Sequence, residues 1–264
     1  MPSYSQKAID IVRRLFERRR PVPNDEELFN FFCLNLPDDT FSVVRFEGEE
    51  RLNQLYRFEF ILGSENPDVD VDAILMSPAL FVYLRDQERS VPFHGIIIEF
   101  EQMHQALGQY YYRAVMAPKL WLLTQTQHNQ VFLNQTVPEI LKQILNEGGL
   151  TTLNYQFKLQ NNYDQAFEYI CQYGETHFDF FARWLERMGM YFYFDVTSEG
   201  EKIIITDSLL AHEPHVRGGD EIPYLPPSTT PERRQATIQK FNMRQQRLPS
   251  EVMLKDYNYR RPSM

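Results

Sequence analysis

Apolar and polar residues alternate along the chain between residues 41 and 118, which is the pattern of half-buried β-strands. The clearest segment puts two sets of side chains on opposite strand faces, namely Tyr56, Phe58, Phe60 and Leu62 against Arg57, Glu59 and Ile61. Further strands are predicted at 80–84, 96–100 and 110–116. Short strands separated by turns are typical of barrels, so we predict a closed or strongly curled antiparallel β-barrel over residues 39–118.

The periodicity becomes helical within residues 119–207. Thr136-Val-Pro-Glu139 is a capping box with proline in the first turn, and Thr176 with Asp179 is a similar pair. Gly189 suits the end of the second helix, whose apolar side chains repeat at helical spacing, at Phe178, Phe181, Ala182 and Leu185. Two strands follow at 190–195 and 203–206. We therefore predict a helix-containing connecting segment with aromatic strands over 119–207.

Residues 1–38 are predicted to form a separate helical extension. An apolar stripe is surrounded by arginines, and two prolines then end the helix; the stripe is Ala8, Val12, Leu15 and Phe16. A second helix is expected to begin at Asn24 and to run through Leu28, Phe29 and Phe32. The arginines suit a solvated helix face, the commoner use of such a run, or contact with anionic lipid.

The composition shifts again after residue 207. Residues 212–230 are rich in proline, glycine and serine and are predicted to form a long loop. Segments 236–243 and 251–258 have the pattern of strands, so residues 208–264 are expected to hold a loop and the beginning of a second β-barrel that is truncated here. The predicted fold class is α+β and β-rich, with an antiparallel β-barrel, a helical segment and the start of a second barrel.

Composition limits the classes of partner. Aromatic residues make up 14% of the chain and the net charge is −9. Aromatic strands favour large interfaces, whereas nucleic acids need clustered lysine and arginine, so we expect no nucleic-acid partner. Cys33 and Cys171 have no metal-binding spacing and are expected to be buried free thiols. Because we find neither a signal peptide nor an integral membrane segment, we expect assembly in the cytoplasm.

No pattern requires an enzyme. His212 and His215 have a spacing that suits two metal ligands, but the intervening proline keeps them off a helix, and an exposed loop is favoured. His94 suits a core or strand-edge position better than a general base. Glu99 and Glu101 alternate with apolar residues, as on the solvated face of a sheet. We predict no catalytic residue, no metal and no cofactor.

Four segments carry a resemblance to a known family. Residues 169–194, YICQYGETHFDFFARWLERMGMYFYF, followed by IIITDS, resemble the signature of VgrG, the spike protein family of type VI secretion systems. They resemble more distantly the hub proteins of contractile phage tails. The other segments agree in the order that the family has them, at 55–86, 91–102 and 112–145, with a weaker match at 252–262.

The resemblance implies a structural hub. In that family the N-terminal module forms a homotrimer in which each subunit supplies two similar barrels. The resulting near six-fold ring sits on a hexameric tube protein of the Hcp type and carries a three-fold needle, with an effector or adaptor at the tip. Family members continue beyond this module, so the resemblance implies a fragment or truncated member. The isolated chain is then expected to be monomeric or an irregular oligomer. Export by the type VI machine is implied as well.

Strand residues are the candidates for contacts between subunits or with the tube, and we select Arg57, Glu59, Tyr111 and Arg113. Tyrosines that face outward suit a protein–protein surface, where tyrosine is enriched. For the clustered tyrosines, core packing and sugar stacking are the alternatives. Two other functions stay open for the chain: the baseplate hub of a contractile phage or prophage, and a delivered cell-wall hydrolase.

Overall fold

A computed structural model describes the chain at residues 6–11, 29–86, 89–106, 108–197, 200–212, 224–226, 237–247 and 249–253. The chain divides into two compact units, Met1–Asp220 and Glu221–Met264. The first unit holds the helical residues 6–11 (α1) and all the strands and helices whose bounds are given below. Within the described residues, no helix has the length and apolar character that a membrane span needs.

Six antiparallel strands form the first sheet. In chain order they are β1 Phe29–Cys33, β2 Ser42–Glu49, β3 Arg57–Ser64, β4 Pro78–Asp86, β5 Arg89–Ala106 and β6 Gln109–Ala117. Their order across the sheet is β1-β4-β5-β6-β3-β2, which leaves β1 and β2 at opposite edges. A short helix, α2 (Val71–Ile74), connects β3 to β4.

The sheet curls strongly around an aromatic core. Phe29 and Phe46 lie on the two edge strands, yet their ring centroids are only 4.7 Å apart. Phe60 on β3 and Phe81 on β4 lie on the strands next to those two edges, and their ring centroids are 5.0 Å apart. On β3 the residues at alternate positions, Phe58, Phe60 and Leu62, are buried. The predicted curled antiparallel sheet is thus confirmed, as a half-barrel.

The predicted helix through Phe29 and Phe32 is wrong. These residues belong to β1, which pairs with β4 along its whole length. Phe31 and Cys33 point into the aromatic core, whereas Phe32 packs on the opposite side against the cluster that includes residues of α1. Because both faces of β1 are covered, its apolar run has no clear period of two, and such runs are ambiguous between strand and helix. The arginine cluster lies outside the described residues.

The second half of the first unit contains two longer helices and two small sheets. The helices are α3 Val137–Glu147 and α4 His177–Arg187. An antiparallel ribbon pairs β7 (Gln127–Phe132) with β9 (Ile170–Thr176). A three-stranded sheet has the order β10-β11-β8, formed by Tyr191–Thr197, Gly200–Thr206 and Tyr155–Lys158. The strands predicted at 190–195 and 203–206 are therefore confirmed.

Local capping explains where both helices begin. Thr136 and Glu139 form the predicted capping box of α3. Thr176 accepts a hydrogen bond from the Asp179 N–H at 3.0 Å, and Gly189 adopts the positive φ of 68° that follows α4. The predicted apolar face of α4 is half right. Phe181 and Leu185 are buried, but the helix is rotated so that Phe180 and Trp184 are buried as well, whereas Phe178 and Ala182 are only half-buried.

The second unit is described over short stretches. Tyr224 and Ile238 form one parallel bridge there. A strand is predicted over residues 236–243. Within this range the described residues, from 237 onward, contain only the single bridge at Ile238 and no extended strand. Residues 254–258 of the other predicted strand lie outside the described residues. The beginning of a second barrel therefore remains a prediction.

Both cysteines are free thiols, as predicted. Cys33 is buried, and this burial raises the pKa of its thiol, while a hydrogen bond with Ser77 acts in the opposite direction. Cys171, predicted to be buried, is only half-buried, because its side chain lies on the outward face of the β7/β9 ribbon beside exposed Tyr169 and Tyr173.

Candidate protein–protein interface

Three of the four predicted interface residues meet in an ionic network on the outer face of the first sheet. The Arg113 guanidinium donates to Glu59 Oε2 at 2.7 Å and to Glu99 Oε2 at 2.9 Å. Arg57 donates to Glu99 Oε1 at 3.3 Å and lies 3.5 Å from Glu59 Oε2. We call these four side chains the outer ionic network. Two guanidinium groups and two carboxylates leave it with no net charge.

The strand register explains why these side chains converge. Glu59 on β3 and Glu99 on β5 both lie opposite Val115 of β6, on its two sides. Arg113 is two residues from Val115 on β6 and so projects from the same strand face. Its forked guanidinium reaches the carboxylates of both neighbouring strands. Val115, which lies between these two carboxylates in the register, is fully buried. The network is therefore built into the pairing of three strands.

A β-bulge places Glu99 in the network. The pairing of β5 with β6 shifts between Ile97 and Glu99, so that two residues of β5 advance against one of β6. Without this shift Glu99 would not lie opposite Val115. Sequence reasoning assigned Glu99 only to a solvated strand face, because a bulge leaves no mark in the alternation of apolar and polar residues.

The charges stabilise one another. Hydrogen bonds to Glu59 and Glu99 raise the pKa of Arg113 above its usual range. The hydrogen bond from Arg113 is the largest cause that lowers the pKa of Glu59 and of Glu99. Arg113 is the least exposed member, at 24% of its side chain, whereas Glu99 is 49% exposed. Such exposed pairs are screened by solvent, so the network contributes modestly to folding.

Tyr111 lies beside the network without joining it. It shares the strand face of Arg113, two residues along β6, and its ring stacks on His104 at 5.0 Å between centroids. The neighbouring Tyr112 points to the other side and is buried among the core aromatics. The outer face thus presents a stacked ring pair next to four paired charges.

The residues weighed for catalysis have structural surroundings. His212 stacks on Tyr193 at 4.4 Å, and its Nε2 is 2.9 Å from the Tyr191 hydroxyl. His215 lies outside the described residues. His94 is on β5, and its carbonyl oxygen accepts a hydrogen bond from the Tyr56 hydroxyl. The described part of the chain contains no group of three or more His, Cys, Asp or Glu side chains placed to hold a metal ion.

Comparison with known proteins identifies the family. The sequence model of the phage tail baseplate hub (GPD) family matches residues 49–264. The type VI secretion system spike protein VgrG1b of Pseudomonas aeruginosa is 33% identical over 226 residues, which cover 85% of this chain and 30% of that protein. VgrG1a of the same organism is 34% identical over 229 residues, covering 86% of this chain and 34% of that protein.

A solved structure agrees with these sequence matches. The E. coli c3393 protein is described as a component of the type VI secretion system with structural similarity to the T4 bacteriophage tail proteins gp27 and gp5. It superposes with a TM-score of 0.64 and 27% identity, over 76% of this chain and 53% of that one. The chain spans about a third of the length of the curated relatives it matches. On this evidence the chain belongs to the phage tail baseplate hub family, and its resemblance to the VgrG spike proteins is confirmed.

Proposed function

We propose that this chain is the hub portion of a type VI secretion spike. Three copies surround a common axis and connect the hexameric tube protein to a puncturing needle, which carries an effector or adaptor. The observation that carries this proposal is the 33–34% identity to spike proteins over 85–86% of the chain. The assembled protein leaves the cell with the tube, through the secretion apparatus itself.

The aromatic core suits a part that transmits force. Rings from all regions of the first sheet interlock, with Phe31 and Phe60 at 4.9 Å and Phe58 and Phe93 at 4.8 Å between centroids. Aromatic pairs at such separations contribute about 0.5–1.5 kcal/mol each beyond the area they bury. A sheet curled around such a core resists shear, and the role requires no bond to be made or broken.

We place the contact with a neighbouring subunit or the tube at the outer ionic network and Tyr111. Moving unpaired charges from water into an interface is costly, whereas charges already paired with good geometry lose less solvation. Arg113 also holds the orientation of both carboxylates before any partner arrives. The adjacent Tyr111 and His104 rings supply apolar area at the same face.

Binding to the tube protein tests the proposal. The full chain is mixed with the hexameric tube protein of a type VI secretion system from the same organism, and the mass of the complex is measured by light scattering over a concentration series. A complex of three chains with one hexamer is expected. If the two proteins stay separate at tens of micromolar, the proposed role is wrong.

A phage or prophage baseplate hub is the second candidate, favoured by the family match itself. The two functions differ in the tube they hold, so the same assay with the tail tube protein of a resident prophage separates them. Release of muropeptides from peptidoglycan by the purified chain would instead favour the delivered hydrolase and contradict both structural roles.

A further inference from the structure

A buried histidine joins the β7/β9 ribbon to both long helices. His177 is the first residue of α4, and its side chain is 2% exposed. Its ring stacks on His128 of β7 at 4.3 Å between centroids, with the planes 18° apart. Its Nδ1 lies 3.3 Å from Gln172 Nε2 of β9, and its Nε2 lies 3.7 Å from a carboxylate oxygen of Glu147 at the end of α3.

The hydrogen bonds around Gln172 fix which nitrogen of His177 carries the proton. Gln172 Nε2 also donates to the Glu175 carbonyl oxygen at 3.2 Å, and Gln172 Oε1 accepts from Gln130 Nε2 at 2.9 Å. Turning the Gln172 amide over would set oxygen against the Glu175 carbonyl and nitrogen against the Gln130 amide nitrogen. The amide therefore donates to Nδ1, and neutral His177 holds its proton on Nε2.

A second proton on His177 has no acceptor in this arrangement. It would go to Nδ1 and meet the N–H of Gln172, donor against donor. A cation at this position also faces the positive end of the α4 dipole and the parallel ring of His128. Among the described residues Glu147 favours the cation, and Gln130 and Gln143 already donate to its two oxygens at 3.0 and 2.8 Å.

Other charged groups of the packed elements are engaged elsewhere. Glu175 of β9 forms a two-bond pair with Arg183 of α4, at 2.6 and 3.1 Å. Asp179 of α4 accepts from the Thr176 hydroxyl at 2.7 Å. Burial is the largest cause that lowers the pKa of His177, followed by His128, whereas Glu147 raises it.

We propose that His177 is an acid-sensitive latch that releases the β7/β9 ribbon from α3 and α4 when its ring is protonated. Protonation breaks the bond from Gln172 to His177, and Gln172 also accepts the side-chain hydrogen bond from Gln130 that supplements the backbone pairing of β7 with β9. An isolated two-stranded ribbon is marginal in water and depends on such packing. The ribbon's outward face carries exposed Val131, Tyr169 and Tyr173, so its release changes the surface that the protein presents.

The direction of the pH effect follows from linkage. In the folded protein the pKa of His177 lies below the usual value of about 6.5, so the open or unfolded state binds more protons as the pH falls. The latch is therefore fully closed above about pH 6.5 and weakens as the pH falls below that value toward the folded pKa.

Two measurements on the full chain test the latch. The His177 ring resonance is followed by NMR from pH 8 to 4.5, and a midpoint below about 6.5 is expected. Amide hydrogen exchange, corrected for its intrinsic pH dependence, is compared at pH 7.5 and 5.0. We expect β7 and β9 to lose protection by about tenfold or more relative to β3 and β6, as for loss of one buried hydrogen bond.

Variants give the matched controls. In Gln172→Glu a carboxylate faces Nδ1 and accepts its proton, although the bond to the Glu175 carbonyl oxygen is lost at every pH. The ribbon of this variant is therefore expected to be no less protected at pH 5.0 than it is at pH 7.5. His104→Gln removes an exposed histidine that also stacks on a ring, and the acid response should persist. A His177 midpoint at or above about 6.5, or a ribbon equally protected at both pH values in the unaltered chain, overturns the proposal.

Discussion

Asn53 pairs with Phe192 across 139 residues of chain, through two hydrogen bonds. The Asn53 N–H donates to the Phe192 carbonyl oxygen at 3.0 Å, and its side-chain Oδ1 accepts from the Phe192 N–H at 3.3 Å. Asn53 precedes β3 of the half-barrel, whereas Phe192 lies on β10 of the three-stranded sheet. Nearby, the ring centroids of Tyr56 and Phe194 are 4.9 Å apart. These contacts join the half-barrel to the second sheet.

Substitutions at Asn53 should lower the free energy of unfolding, and alanine should lower it more than glycine. Asn53 has a φ of 61°, which glycine adopts freely and alanine does not. Asn53→Gly loses the side-chain hydrogen bond, at a cost of about 1 kcal/mol, and has a smaller further cost because glycine frees the unfolded chain. Asn53→Ala also pays about 1–2 kcal/mol for the left-handed backbone. Urea unfolding measures both, and an alanine variant as stable as the glycine variant would contradict the assigned conformation.

Removing Arg113 should weaken assembly more than folding. Arg113→Ala leaves Glu59 and Glu99 with Arg57 as their only partner in the network, but exposed ion pairs contribute only about 0.2–1 kcal/mol to stability. The same change is expected to reduce binding to the tube protein or to sister copies at least tenfold, since arginine is enriched among the few interface residues whose truncation costs about 2 kcal/mol or more.

The control for Arg113 is Arg45 on β2. Its pair with Glu47 is more exposed, at 74% and 80% of the two side chains. Arg45→Ala should leave both the free energy of unfolding and tube binding nearly unchanged. If the Arg113 and Arg45 variants bind the tube protein equally well, the outer ionic network is not part of the interface.

Asp207 should make folding sensitive to strong acid. Its carboxylate accepts from the N–H groups of Gln160 and Asn161 at 2.8 and 2.9 Å and from the Tyr163 hydroxyl at 3.0 Å. Burial acts to raise the pKa of Asp207, but these hydrogen bonds outweigh it and lower the pKa to about 2. The stabilisation is therefore complete above the ordinary value of 3.8 and is lost as the pH falls through about 2.

Unfolding free energies measured between pH 7 and 2 check this dependence. Asp207→Asn should flatten the acid limb of the curve, and Tyr163→Phe, which removes one of the hydrogen bonds, should flatten it less. An unchanged acid limb in Asp207→Asn would show that another carboxylate controls it.

Local signals predicted much of this structure. The period of two on β3 places Phe58 and Phe60 inside, and the pairs at Thr136 and Thr176 mark where α3 and α4 begin. These features depend on residues that are neighbours in sequence. The aromatic strand β10 was predictable for the same reason.

The features that could not be predicted depend on pairing between residues that are far apart in the sequence. Phe29 and Phe32 were assigned to a helix because the partner strand that covers them, β4, lies about fifty residues away. Glu99 enters the outer ionic network through a bulge that only the register with β6 defines. The surroundings of His177 come from three other elements, β7, β9 and α3, so its sequence neighbours indicated a helix cap and nothing more.

The mass of the complex between this chain and the hexameric tube protein of the secretion system tests the central claim most directly. The account predicts that three 31.5 kDa chains join each hexamer, and that Arg113→Ala lowers the yield of this complex while Arg45→Ala does not. A chain that forms no complex with a secretion tube or a phage tail tube would contradict it.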